Sequence, residues 1–301
     1  MLKISLLGVG LMGAPMSRRL LGAGHALTVW NRSPDKAQAL VAHGARLAPT
    51  PAQAVQEADL VITMLTDGHA VGQVLFGPAG DSAAQGLRPG TLVIDMSSIL
   101  PEEARAHAAK LSALGVASLD APVSGGTLGA EAGTLAIMAG GSTADFERAR
   151  QVLEVLGRPV HVGPIGSGQL TKLANQMIVG ITIGAVAEAL LLAEQGGADP
   201  TKVREALRGG FAESRILEVH GQRMVDGDFA KRGSLGIQLK DLRNALHTAQ
   251  ALAFEAPITA HLTDLYAQAA AEGLSDLDQS ALFKSLQSRQ IKADGDASSR
   301  P

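Results

Sequence analysis

Cysteine is absent from all 301 positions. The chain can therefore form no disulfide, no thiolate metal site and no cysteine nucleophile, and it fits a reducing compartment. Aromatic residues are scarce: six Phe, one Tyr and one Trp leave little with which to stack on bases. No charge excess builds a basic field, since the formal net charge is −3, so no nucleic-acid partner is expected. The eight His are scattered, with no HExxH and no metal-ligand spacing, so no metal is expected. No Ser, His and Asp grouping at motif spacing suggests a hydrolase triad. No small-residue cleavage pattern follows the apolar start MLKISLLGVG, so we expect no targeting segment and a cytoplasmic protein.

Glycine, by contrast, is abundant and placed. Lys3–Leu7 (KISLL) reads as a short buried strand. It runs into Gly8-Val-Gly10-Leu11-Met12-Gly13 and then a helix that ends at glycine. A GxGxxG between strand and helix is the context a dinucleotide site requires. Gly8 permits the tight turn, Gly10 lets the backbone approach a pyrophosphate, and Gly13 allows close packing. The helix start offers N–H donors to the phosphates. A second strand, His25–Trp30, leads to Asn31, Arg32 and Ser33. An NAD site places an acidic residue at this strand end to hold the ribose 2′-hydroxyl. A guanidinium and a hydroxyl bind a 2′-phosphate instead, so we read NADP, with NAD possible as a second cofactor.

Strands continue at Asp59–Leu65, Thr91–Met96, Val116–Asp120, Leu135–Ala139 and Pro159–Val162, with helices at Asp35–His43 and Ala144–Leu156 and another starting near Pro101. Alternation of this kind predicts an α/β fold with a mostly parallel, doubly wound sheet over residues 1–164. Ligands collect beyond the C-terminal strand ends in such sheets. Leu65-Thr66, Ser97-Ser98 and Ser124–Gly126 share those ends with the glycine motif and Asn31–Ser33.

Gly166–Gln195 then runs without proline. Leu170, Leu173, Met177, Ile181, Ala185 and Leu191 fall at helical spacing, and residues 177–187 are almost all apolar or small. A helix apolar all round is expected to be buried all round, so 165–195 is predicted as a central core helix joining two domains. Its unbroken apolar run falls short of the ~20 residues of a membrane span, and Lys172, Glu188 and Glu194 flank or interrupt it. Helices alone follow over 196–291, giving an all-α C-terminal domain, and the polar stretch 292–301 is expected to be disordered. Apolar helices of this kind suggest a homodimer or homotetramer. Lys172, Asn175 and Gln176 lie at i, i+3 and i+4 and share a face. Either Lys172 is a solvated surface residue, or it is a catalytic ammonium flanked by two amides.

Four stretches in order, GVGLMGAPMSRRLLGAGH, DAPVSGGTLGAEAGTLAIMAGG, GSGQLTKLANQ and LKDLRNAL, make nearly the whole chain resemble the β-hydroxyacid dehydrogenase family. That resemblance implies a Rossmann-type N-terminal domain and NADP-dependent, reversible reduction of a small semialdehyde acid, such as tartronate semialdehyde to glycerate. It implies Lys172 as the general acid/base, and Ser124, Gly125, Gly126, Asn175 and Gln176 around a small carboxylate substrate. Leu65, Thr66, Ser97 and Lys240 would contact the dinucleotide. Many members carry Asn where this chain has Gln176, which points within the family. Arg215, His220 and Arg223 fit less well. If they face the substrate, a longer sugar acid such as an aldonate is the alternative. An imine reductase or a catalytically silent dinucleotide-binding module are further readings; the lysine at position 172 argues against both.

Overall fold

A computed structural model of the chain describes residues 1–78 and 81–297, with side chains through residue 290. It divides into two compact units, Met1–Lys172 and the chain from Leu173 on.

In the first unit, β1 (Lys3–Leu7), α1 (Gly13–Gly22), β2 (Ala26–Trp30), α2 (Asp35–Val41), β3 (Arg46–Leu47), α3 (Pro51–Val55) and β4 (Leu60–Thr63) alternate strand with helix. The pattern continues through α4 (Gly68–Phe76), β5 (Leu92–Asp95), α5 (Pro101–Ser112) and β6 (Ala117–Asp120). Strands β3, β2, β1, β4, β5 and β6 lie side by side in that order, all parallel. Apolar runs such as LVIT and LVID form these strands because both faces of the sheet are covered. Ile4, Leu6, Ile62 and Ile94 pack on one face with Met16 and Leu20 of α1. Leu7, Val61 and Val93 pack on the other with Val55 of α3, Leu75 of α4 and Leu111 of α5. This is the doubly wound arrangement that the alternation predicts.

The parallel order then reverses. After β7 (Val123–Ser124) and α6 (Gly126–Ala132), β8 (Leu135–Gly140) runs antiparallel to both β6 and β7. Following α7 (Thr143–Leu156), β9 (Gly157–Gly163) pairs parallel with β8. The two-residue strands β3 and β7 and the short helices α3, α4 and α6 are not foreseen in the sequence. They are fixed by pairing and by caps, such as Thr50 on the Gln53 N–H and Asp67 on the Ala70 N–H, rather than by periodicity.

Helix α8 (Ser167–Gln195) crosses from the first unit into the second, which holds α9 (Pro200–Leu207), α10 (Arg215–Asp226), α11 (Leu235–Ala251), α12 (Pro257–Ala269) and α13 (Leu282–Ala297). Ile183, Val186, Ala187, Leu190 and Leu191 of α8 meet Leu217, Leu242, Tyr266 and Leu282 in one core. The expectation that α8 is buried on all sides fails. Ile178 is 67% and Leu192 74% exposed, and Ala174, Ala185 and Ala189 lie with them on an open apolar stripe. Gly273, at φ 86°, breaks the helical run after α12. Within 292–301, expected to be disordered, α13 continues to Ala297. Residues 298–301 lie outside the described residues.

Candidate active site

The loop after β1 is a cradle of backbone. Gly8 sits at φ 112°, and a Cβ there would collide with the Met64 carbonyl. A Cβ on Gly13 would collide with the Gly8 carbonyl. Packing therefore demands both glycines. Gly10 differs, because a Cβ there meets nothing within 4 Å. Open space over that backbone is what an approaching pyrophosphate needs, so the loop fits a dinucleotide. Helix α1 starts at Gly13 with no acidic residue in its first turn, leaving its positive end uncompensated. Leu11 is exposed and Met12 half-buried on the same loop.

Asn31 closes the far side. Its Oδ1 accepts the Val9 N–H at 2.9 Å, and its Nδ2 donates to the Ser33 carbonyl at 2.9 Å. The amide thus ties the glycine loop to the turn that carries Arg32 and Ser33, both exposed. Just beyond β5, Ser97 is fully buried, and its Oγ accepts the N–H of Leu65, which follows the adjacent β4, at 2.9 Å. Ser97 shapes the Leu65 loop from inside. Thr66 is exposed, with its hydroxyl on Asp67. Contacts therefore gather Gly8, Gly13, Leu65 and Ser97 into one cluster, with Asn31 beside it.

Ser124 ends β7, half-buried, and Gly125 and Gly126 follow at φ 135° and 62°. Both glycines are exposed, on the turn that leads from β7 into α6.

Lys172 is only 8% exposed, which removes the solvated reading. One turn on, Asn175 Nδ2 donates to Gln176 Oε1 at 2.8 Å. Gln176 Nε2 donates to Gln238 Oε1 at 2.9 Å and to Asp241 Oδ2 at 2.8 Å. Lys240 Nζ sits 3.0 Å from Asp241 Oδ1. A fixed string of polar groups therefore runs from Asn175 to Lys240 inside the second unit. Gln238 and the bridging role of Asp241 carry no signal in the sequence, since α8 and α11 meet only in the fold.

Asp95 and Asp120 end neighbouring strands in register and are both buried. Burial pushes the Asp120 carboxyl up to about 6, against the Gly166 and Gln169 N–H groups that favour its charged form. Burial likewise raises Asp95, opposed by Ser97 and Thr63. The three charges left open earlier have other occupations. Arg223 Nη1 lies 2.9 Å from Asp278 Oδ2, and His220 Nδ1 lies 3.3 Å from Asp278 Oδ1. Arg215 pairs with Glu218 on the same helix.

Residues 3–166 match the family described as the NAD binding domain of 6-phosphogluconate dehydrogenase. Residues 166–286 match the NAD-binding domain of NADP-dependent 3-hydroxyisobutyrate dehydrogenase. The 2-hydroxy-3-oxopropionate reductase of Escherichia coli strain K12 is 45% identical over 287 residues, covering 95% of this chain and 97% of that protein. The chain belongs to the β-hydroxyacid dehydrogenase family. Among solved members, the Mycobacterium tuberculosis 3-hydroxyisobutyrate dehydrogenase with L-serine superposes with a TM-score of 0.86 at 36% identity, covering 95% of this chain and 99% of that one. Psf3 in complex with NADP+ and 2-OPP gives 0.87 at 25% identity, over 94% and 99% of the two chains. This β-hydroxyacid dehydrogenase is thus an NAD(P)-dependent oxidoreductase whose relatives act on small hydroxy acids.

Proposed function

We propose that this enzyme is an NADP-preferring cytoplasmic reductase, a homodimer or homotetramer, that reversibly converts a small semialdehyde acid to its hydroxy acid. Tartronate semialdehyde, giving glycerate, is the substrate we favour, with a 3-hydroxyisobutyrate-type acid as its near variant. The observation that carries the reading is the burial of Lys172 on the α8 face shared with Asn175 and Gln176. The identity to a 2-hydroxy-3-oxopropionate reductase supports the choice of substrate.

A bound nicotinamide supplies or takes up the hydride. Lys172 gives its proton to the carbonyl oxygen during reduction and recovers it from the hydroxyl during oxidation. Ser124 Oγ and the N–H groups of Gly125 and Gly126 hold the substrate carboxylate through neutral donors. Asn175, oriented by Gln176, completes the substrate contacts. The backbone from Gly8 to Gly13, with Leu11 and Met12, cradles the pyrophosphate, and Leu65, Thr66 and Ser97 shape the site beside it. Arg32 and Ser33 take the 2′-phosphate, held in place by Asn31, and Lys240 is a further cofactor ligand. The longer sugar acid loses its motive, because His220 and Arg223 hold Asp278.

Oxidation of NADPH and NADH with tartronate, methylmalonate and succinic semialdehydes tests the reading. Fast turnover of the first with NADPH preferred is expected. Silence across the panel would discard the substrate class.

A further inference from the structure

The first turn of α8, which leads directly into Lys172, is anchored by two buried side chains that the mechanism above does not use. Asp120, at the end of β6, is 1% exposed. Its Oδ1 accepts the Gly166 N–H at 2.7 Å and its Oδ2 the Gln169 N–H at 2.7 Å. A helix start leaves such donors without intrahelical partners. Here a carboxylate more than forty residues earlier in the chain satisfies two of them at once. The seat is tight as well. A Cβ on Gly168 would collide with the carbonyls of Asp120 and Met138, and one on Gly140 would press on the Asp120 carboxylate.

Gln169 then ties the same turn sideways. It is fully buried. Its Nε2 donates to the Ser97 carbonyl at 2.8 Å, and its Oε1 accepts the Ile99 N–H at 3.1 Å. Ser97 in turn holds Leu65 through its Oγ, and its own N–H reaches Asp95 Oδ1 at 3.0 Å. Thr63 Oγ1 donates to that same Asp95 oxygen at 2.7 Å. The ends of β4, β5 and β6 are thereby locked to the helical turn that precedes Lys172. A buried, fully engaged amide of this kind fixes geometry, because either end left unpaired in the interior is costly.

We propose that Asp120 and Gln169 are positioning residues for the reduction: together they fix Lys172 relative to the Leu65–Ser97 loops that shape the dinucleotide site. Neither touches substrate. The inference rests on the assignment of Lys172 as the proton donor. Displacing a reacting group by about 1 Å can cost roughly a hundredfold in rate, so modest loosening here should be visible in turnover.

The test compares the full-length enzyme with Asp120→Asn, Gln169→Met and Lys172→Ala, using NADPH and tartronate semialdehyde. Asp120→Asn turns one acceptor into a donor facing an N–H. Gln169→Met removes the bridge but keeps the helix cap, and it carries the test if the first variant does not fold. We expect kcat to fall roughly ten- to a hundredfold in both, with KM and the NADPH Kd within about threefold of wild type. The isotope effect from 4-deuterated NADPH should rise as the chemical step becomes limiting. A purely structural role would lower Tm without moving kcat per folded molecule or the isotope effect, and that result overturns the proposal. Failure of the underlying assignment looks different, since Lys172→Ala would then retain wild-type turnover.

Discussion

Arg32 and Ser33 stand where an acidic residue would select NAD, and Asn31 spends both ends of its amide holding that turn in place. Charge-assisted hydrogen bonds to a phosphate contribute about 1.5–3 kcal/mol. Arg32→Ala should therefore weaken NADPH binding roughly ten- to a hundredfold and leave NADH nearly unchanged. Fluorescence titration of both cofactors checks this, and equal losses for the two would remove the 2′-phosphate from the account. Ser124→Ala should raise the KM of the semialdehyde with little change in the NADPH Kd. An unaltered KM would take Ser124 out of the carboxylate site. The glycine motif was readable because Gly8 and Gly13 stand where a Cβ would collide with backbone, in a strand–loop–helix order that marks the site. Asp120 and Gln169 were not readable: their partners lie 46 to 72 residues away, and a lone Asp or Gln carries no mark of its partner.

Among the elements, α10 shows the same limit. Its His220 and Arg223 read from sequence as candidate ligand contacts, whereas they hold Asp278, which is fully buried. Burial alone would push the Asp278 carboxyl up, but His220, Ser280 and Arg223 outweigh it and hold the group well below the usual carboxylate range. Such a group stabilises the fold above the unfolded carboxyl value of 3.8 and loses that contribution as pH falls further. Asp278→Asn leaves Arg223 without its buried counter-charge and should cost about 3–5 kcal/mol in urea unfolding, with turnover per folded molecule unchanged. A loss below 1 kcal/mol would contradict this. Helix α8 was predicted correctly as an element and incorrectly as buried throughout, since periodicity does not say whether an apolar face meets its own chain or another. With the proposed oligomer packed through the open stripe, Leu192→Glu should lower the mass seen by light scattering at micromolar concentration. An unchanged mass would remove the stripe from that proposal.

For the whole molecule, strand–helix alternation foretold the doubly wound sheet, while the reversal at β8 was not legible because LAIMAG is as unbroken an apolar run as its parallel neighbours. The buried carboxyl beneath α8 sets a pH response of the opposite sign to Asp278. A folded value of about 6 against 3.8 unfolded means that ionised Asp120 costs stability at pH 7, and the cost fades as pH falls from about 6 toward 3.8. Wild type should accordingly gain stability on Asp120→Asn between pH 7 and pH 5 in paired urea titrations; parallel curves would deny the shift. The proposed proton transfer centres on Lys172. Steady-state reduction of tartronate semialdehyde by NADPH, wild type beside Lys172→Ala, should show a loss of about 10²–10⁴ in kcat with NADPH binding retained. Near-wild-type turnover in that variant would contradict the account at its centre.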